Sequence, residues 1–440
     1  MDISSYKELS GESLQAATND FVGQKISDYK EPTDALTKNT QIFIQALNDE
    51  NETLINQYVS KLNLAACRYP GLDNVAIYVP KDKGDFPVTI FWRFGPTDNL
   101  ILESPHEGRD GVQRVVCDLF LNTKAKCLIR NAVHPASAEG TKASGQNKRR
   151  TSDAAHSYTG LFTDVHKKLF NMYGVDAVYL QVHGMGSKRL MYLTNQKGTQ
   201  FNEKLRSFPM SLARQFTKVF TMDQCNNITL GSHRVPGQQD GKPYTINDFK
   251  QGAAWFPTHS PCPNTCIQAR VVNGGGATNT GKTDRGAFLH LESGPKLRGS
   301  DALGQMLRDK LCTSVNMAMN DWNNSPLPRP ALPFKPSNII TPIVATPSTA
   351  RMTLARAELS DAELEQYESD LRKEYPQDYA VYDSKENGEF DDDNEHGDLD
   401  EDVTITRALT FSKPENTKHN EKDDKNDDKS TNKNKNKLKV

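Results

Sequence analysis

Four short segments each carry a metal-binding or proton-moving side chain just past an apolar run. LILESPHEGRDG (100–111) delivers His106 and Glu107, CLIRNAVHP (127–135) delivers His134, VYLQVHGMG (178–186) delivers His183, and FLHLESGP (288–295) delivers Glu292. Imidazole nitrogens and carboxylate oxygens are the donors zinc takes. Two His and one carboxylate leave a fourth position for water or substrate. Such an ion draws the pKa of water toward neutrality, and a nearby carboxylate then takes the proton. His106 and His183 are read as ligands, and Glu107 as the carboxylate ligand with Asp110 as its alternative. Glu292 arrives from a separate strand, so it is read as the general base and acid.

A second cluster, RRTSDAAHS (149–157), precedes the helical segment that leads to His183. Asp153 or Ser157 could cap that helix, with His156 in its first turn. Alternatively, Arg149 or Arg150 grips a substrate carboxylate through two parallel hydrogen bonds. Arg109 and Arg298 are further candidates for that role. Asp110, His134 and His156 are also candidates for outer partners of the ligands or proton shuttles.

These residues need a scaffold that brings strand ends together. AIYVP, TIFWRF, LILESP, KCLIRNAVHP, VDAVYLQVHG, CIQARVV and AFLHLES read as strands. GVQRVVCDLFLNTKA, SYTGLFTDVHKKLFNMYG and the stretch from about Ser300 to Trp322 have helical spacing. Strands alternating with helices predict an α/β fold with a mostly parallel sheet. In such a sheet the carboxyl ends of parallel strands line one edge, where ligands bind.

The chain has 440 residues, 36% of them hydrophobic, with 54 basic against 56 acidic residues. That balance excludes a generally basic nucleic-acid binder, and no apolar run approaches the roughly 20 residues of a membrane span. No secretory signal opens the sequence and seven scattered cysteines frame no disulfide fold, so a cytoplasmic location is expected. The expected organisation is a helical N-terminal segment (1–69), an α/β metal-hydrolase domain (70–325), a Pro-rich connector (326–350), a helical segment (351–378) and a tail (379–440). The connector carries seven prolines between 326 and 347, and Ser360 with Glu363 forms a capping box. Within the tail, Asp391 to Asp402 holds eight acidic residues in twelve, and a Lys/Asn-rich run follows. Such composition cannot offset its ordering entropy, so the tail is expected to be disordered, with a protein partner as its candidate ligand.

SPHEGRDG resembles the SPHSGR-type motif of N-formylglutamate amidohydrolases. The order of a His-acid motif, a strand-end His and a strand-end Glu resembles the wider group of zinc carboxypeptidases, aspartoacylase-like deacylases and phage polyglutamate hydrolases, over about residues 100–300. The resemblance implies an exopeptidase-like fold, a three-layer α/β/α arrangement of the phosphorylase/hydrolase-like kind, and one zinc ion per chain. His106 and the acid near it would match the first ligand pair, His183 the third ligand, and Glu292 the catalytic carboxylate. Arg109 stands where the carboxypeptidase His-x-x-Glu spacing has its acid, and Gln181-Val182-His183-Gly184 only partly matches the amidohydrolases' acidic-Cys-His-Ser motif.

The expected function is hydrolysis of an amide bond next to a carboxylate, in an N-acyl amino acid or a peptide end. The first alternative is a non-catalytic binding or structural protein on the same fold. The second is a nucleotide-binding protein using Lys282, because Gly276–Thr283 matches the P-loop pattern. That motif works only between a strand and a helix, whereas AFLHLES follows it, so a loop joining two strands is expected. Cys262 and Cys266 form a lone CxxxC without a partner pair and are expected to be free thiols.

Overall fold

A computed structural model describes residues 1, 3–9, 29–81, 86–131, 133–135, 152–186, 188–194, 205–230, 244–250, 266–273 and 285–328. These lie in the first of two units into which the chain divides, Met1–Asn387 and Gly388–Val440. The connector beyond 328, the helical segment, the acidic run and the Lys/Asn tail fall outside the described residues, as do Arg149, Arg150, Cys262 and Lys282.

Ten strands are described: β1 (Lys7–Glu8), β2 (Leu64–Tyr69), β3 (Leu72–Pro80), β4 (Val88–Arg93), β5 (Asp98–Ser104), β6 (Ala125–Asn131), β7 (Val178–Gly184), β8 (Met191–Thr194), β9 (Ile228–Leu230) and β10 (Phe288–Ser293). They form one sheet in the order β1-β2-β3-β4-β6-β5-β7-β10-β8-β9. The sheet is mixed. Its centre, β6-β5-β7-β10, is parallel throughout, while β2-β3-β4 form an antiparallel meander joined to β6 in the antiparallel sense. Every residue of β4, β6 and β10 is buried. Such strands read as near-continuous apolar runs because both faces are covered.

The helices are α1 (Asp34–Asn48), α2 (Glu52–Lys61), α3 (Glu107–Asp110), α4 (Gln113–Asn122), α5 (Leu161–Tyr173), α6 (Phe208–Val219), α7 (Met222–Cys225), α8 (Ile246–Lys250), α9 (Ile267–Val272), α10 (Pro295–Arg298) and α11 (Ala302–Asn324). They cover the sheet in two separate layers. One layer holds α1, α2, α5 and α9; the other holds α4, α6, α10 and α11. Each layer helix follows from its spacing. In α1, Thr40, Phe43, Ile44 and Leu47 form one buried stripe, and the Thr33 hydroxyl accepts from the Leu36 amide to cap its start. The buried stripe of α5 is Leu161, Phe162, Val165, His166 and Leu169, a histidine among apolar residues. The three-layer α/β expectation therefore describes the fold.

One element differs from its sequence reading. CIQARVV, expected as a strand, is the short helix α9 with Cys266 at its N-cap. So short a stretch, five apolar residues in seven, does not distinguish strand from buried helix by periodicity, and Gln268 within it makes buried polar contacts with the Ala154 carbonyl and the Thr163 hydroxyl. The stretch 274–284 therefore follows a helix and precedes strand β10, rather than joining two strands. That order is the reverse of the strand–loop–helix arrangement that holds a phosphate.

Candidate metal centre

The parallel centre of the sheet gives β5, β6, β7 and β10 a common carboxyl edge. Past β5 the chain turns through Pro105 and His106 into α3, which ends at Asp110. The Asn131 side-chain amide at the end of β6 donates to the Pro105 and Val133 carbonyls at 3.0 and 3.1 Å, fixing that turn. His183 and Glu292 are partners in register on β7 and β10, and so are Gln181 and His290 one row earlier. Period-2 alternation sets all four on one face of the sheet.

His106, Asp110 and His183 come together, their ligand atoms within 4.8 Å of one another. Two further groups share its histidines: His106 with Asp153 and His156, and His183 with His290 and Glu292. The His106 and His183 rings meet edge-on at 5.1 Å, and His183 stacks on His290 at 4.3 Å. Each of these two candidate ligands is held through Nε2. His106 Nε2 lies 2.7 Å from Asp153 Oδ1, and His183 Nε2 lies 2.9 Å from Gln181 Oε1. An Nε2–H donated to an oxygen leaves the Nδ1 lone pair for a metal.

Burial, then the neighbouring His290, pushes the His183 pKa down to about 4, so its ring is neutral near pH 7. Its Nδ1 sits 3.2 Å from the buried Asp110 Oδ2. Burial alone would raise the Asp110 carboxyl. The adjacent imidazoles of His183 and His106 and the Gly184 amide outweigh it and hold Asp110 below its ordinary value, hence ionised. With its proton on Nε2, His183 turns the Nδ1 lone pair and the Asp110 carboxylate toward one point, where they can share a cation; with the proton on Nδ1, the ring donates it to Asp110 instead. Two nitrogens and a carboxylate are a donor set that suits zinc.

Around this centre, Asp153 Oδ1 also takes the His156 Nδ1 at 2.9 Å. Burial opposes a charge on Asp153, yet His156 and His106 hold its carboxyl well below the ordinary value. For His106, burial disfavours the proton, but Asp153 wins and its pKa is raised. Asp153 and Ser157 are not helix caps: α5 starts after Gly160, and the Asp153 carboxylate instead bridges two imidazoles.

Glu292 is buried, with Oε1 at 2.8 Å from His290 Nε2. Arg298, in α10, donates from its two terminal nitrogens to the carbonyls of Asp110 and Met185, so it braces the loops that carry Asp110 and His183. The Arg109 side chain is exposed, and His134 is half-buried just past β6. Glu107 opens α3, but its side chain lies outside the described residues. Sequence reading passed over Asp153 as a ligand partner and His290 altogether, and met Gln181 only as part of a partly matching motif. Each of the last two lies two positions before a named residue, which in a strand means the same face.

No known family profile matches the chain, and no curated protein matches it. Solved structures do. A structure solved as a candidate carboxypeptidase A from Shewanella denitrificans OS-217 is 12% identical over 53% of this chain, with a TM-score of 0.29; this chain spans 60% of its length. Succinylglutamate desuccinylase from Vibrio parahaemolyticus is 10% identical, covering 62% of this chain and 80% of its own, at a TM-score of 0.28. A metallo-carboxypeptidase from Pseudomonas aeruginosa, bound to (2-guanidinoethylmercapto)succinic acid, is 10% identical, covering 62% and 68%, at 0.29. Among the described residues, no helix is long and apolar enough to cross a membrane.

Proposed function

We propose that the protein is a zinc-dependent hydrolase that cleaves an amide bond next to a carboxylate, in an N-acyl amino acid or at a peptide end. The observation that supports it most is the buried convergence of His106, Asp110 and His183, whose ligand atoms lie within 4.8 Å of one another, with His183 Nδ1 3.2 Å from Asp110 Oδ2. His106, His183 and Asp110, or Glu107 in its place, would hold the ion. When bound, zinc supplies Lewis acidity, polarising the amide carbonyl and lowering the pKa of water.

The remaining work falls to this chain's own groups. Glu292, one strand across from His183, takes a proton from water as its oxygen attacks the amide carbon. As the C–N bond breaks, Glu292 returns that proton to the leaving nitrogen, which departs as an amine. Asp153 and Gln181 hold the two imidazoles in orientation. Arg109, and Arg149 or Arg150 outside the described residues, are the candidates to pair with the substrate carboxylate through parallel hydrogen bonds.

The test is zinc content by elemental analysis, together with turnover on a panel of N-acyl amino acids and short peptides. The reading expects one zinc per chain and hydrolysis of at least one carboxylate-bearing amide, lost on chelation and restored by zinc. Protein that binds no zinc at micromolar concentration and cleaves none of the panel overturns it and leaves the non-catalytic binding protein standing.

A further inference from the structure

Behind the metal centre lies a chain of fully buried polar side chains. Glu103 on β5, Gln181 on β7, His166 on α5 and Gln268 on α9 are each 0% exposed. Buried polar groups must satisfy one another, so their donors and acceptors have to run in a consistent direction. Here a single carboxylate sets that direction.

Glu103 Oε1 lies 2.5 Å from His166 Nδ1, and Oε2 accepts from Gln181 Nε2 at 3.2 Å. A carboxylate only accepts, so it must face the nitrogen end of the Gln181 amide. Gln181 Nε2 also donates to Gln268 Oε1 at 3.2 Å. The oxygen end of Gln181 is thereby turned toward His183. It lies 2.9 Å from His183 Nε2 and also accepts the Cys266 thiol at 3.1 Å. Burial pushes the Cys266 thiol up to about 12, so it keeps its proton to donate. With its oxygen pinned, Gln268 donates from Nε2 to the Ala154 carbonyl at 2.9 Å and to the Thr163 hydroxyl at 3.0 Å. Ala154 is the neighbour of Asp153, the anchor of His106.

We propose that Glu103, acting through Gln181, fixes which nitrogen of His183 carries the proton. Glu103 and Gln181 are thus positioning residues for the metal-facing Nδ1. Rotating the Gln181 amide end for end would place its NH2 against His183 Nε2. The ring would then accept there and carry its proton on Nδ1, the nitrogen a metal needs. The Gln268 branch extends the same control to the turn that holds Asp153 against His106. The consequence for metal binding rests on the function proposed above; the proton's location does not.

The decisive variant is Glu103→Gln. His166 Nδ1, at 2.5 Å, would keep the oxygen of the new amide, whose NH2 then faces Gln181 and turns that amide around. Gln181→Met, similar in size and unable to accept a hydrogen bond, is the second variant. Chelated, 15N-histidine-labelled protein is read by long-range 1H–15N correlation, with His183 identified by its loss in His183→Gln. The expected result is protonation at Nε2 in the parent chain and at Nδ1, wholly or as a mixture, in Glu103→Gln and Gln181→Met. Zinc affinity, measured by competition with a chromophoric chelator, should fall about 10–100-fold in both variants. If His183 keeps its Nε2 proton in whichever of the two variants folds, or carries it on Nδ1 in the parent, the inference is wrong. Failure of the parent to bind zinc would instead remove the hydrolase reading, while the nitrogen spectra still decide this one.

Discussion

Glu292 and His183 are direct register partners on neighbouring parallel strands. Adjacent strands lie about 4.8 Å apart, so the acid stands one strand spacing from His183, and both touch His290, which stacks on the His183 ring and meets Glu292 Oε1 at 2.8 Å. The preceding row repeats the arrangement with His290 beside Gln181, and Gln181 in turn beside Glu103. Two polar rows on one face of the sheet thus carry the proposed base, a candidate ligand and the residues that support it.

This separation predicts different losses for different residues. Glu292→Gln should lower kcat about 10²–10⁴-fold, the usual worth of general acid–base help, with zinc content unchanged. Steady-state kinetics and elemental analysis on the same preparation check it. Full turnover in the variant would remove Glu292 from the proton-transfer role.

The ligand carboxylate is decided by a pair of variants. Asp110 is held ionised between two imidazoles, so Asp110→Asn should abolish the rise in melting temperature that zinc gives the parent chain. A saturating ligand at 100 times its Kd stabilises by about 2.7 kcal/mol, enough to read in a thermal melt. Glu107→Gln should leave that rise intact. The opposite pattern would assign the ligand to Glu107.

The scaffold was more legible than the site. Long strands such as β4 and β7 and the periodic helices α4, α5 and α11 declare themselves through apolar spacing, because core burial imposes it. His106, His183 and Glu292 could be named since each ends an apolar strand. Asp153 could not be placed, because its partner His106 is 47 positions away and only the fold joins them. Glu103 and His166 were hidden for a related reason: each sits within an apolar pattern where a polar residue looks like noise until its partner is known. CIQARVV reads as a strand because five apolar residues in seven suit either period.

Gly184 makes a sharper structural test. A Cβ there would lie 2.1 Å from the Asp110 backbone carbonyl, and that contact is backbone, which cannot rotate away. Gly184→Ala should push α3 from the end of β7 and separate Asp110 from His183. Overpacking of this kind costs about 1–3 kcal/mol, and zinc binding should weaken with it. Chemical denaturation and chelator competition would report both; a variant with parental stability and affinity would contradict the close approach.

The two ligand histidines should shape the pH dependence of metal-free stability in opposite senses. Buried beside His290, His183 titrates at about 4 when folded, against an ordinary value of 6.5. Between those values the unfolded chain binds a proton that the folded chain refuses, so stability falls as pH drops from 6.5 to 4. The full difference is worth about 3 kcal/mol. His106 is shifted upward despite its burial, because Asp153 favours its charged form. Its contribution is therefore complete below pH 6.5 and is lost as pH rises through its folded pKa. Asp110 and Asp153, both lowered from 3.8, act only at more acid pH. Urea denaturation of chelated protein across pH 4–8 should show His183→Gln flattening the acid limb and His106→Gln flattening the alkaline limb. Identical profiles in parent and both variants would mean that neither ring is held as the geometry describes.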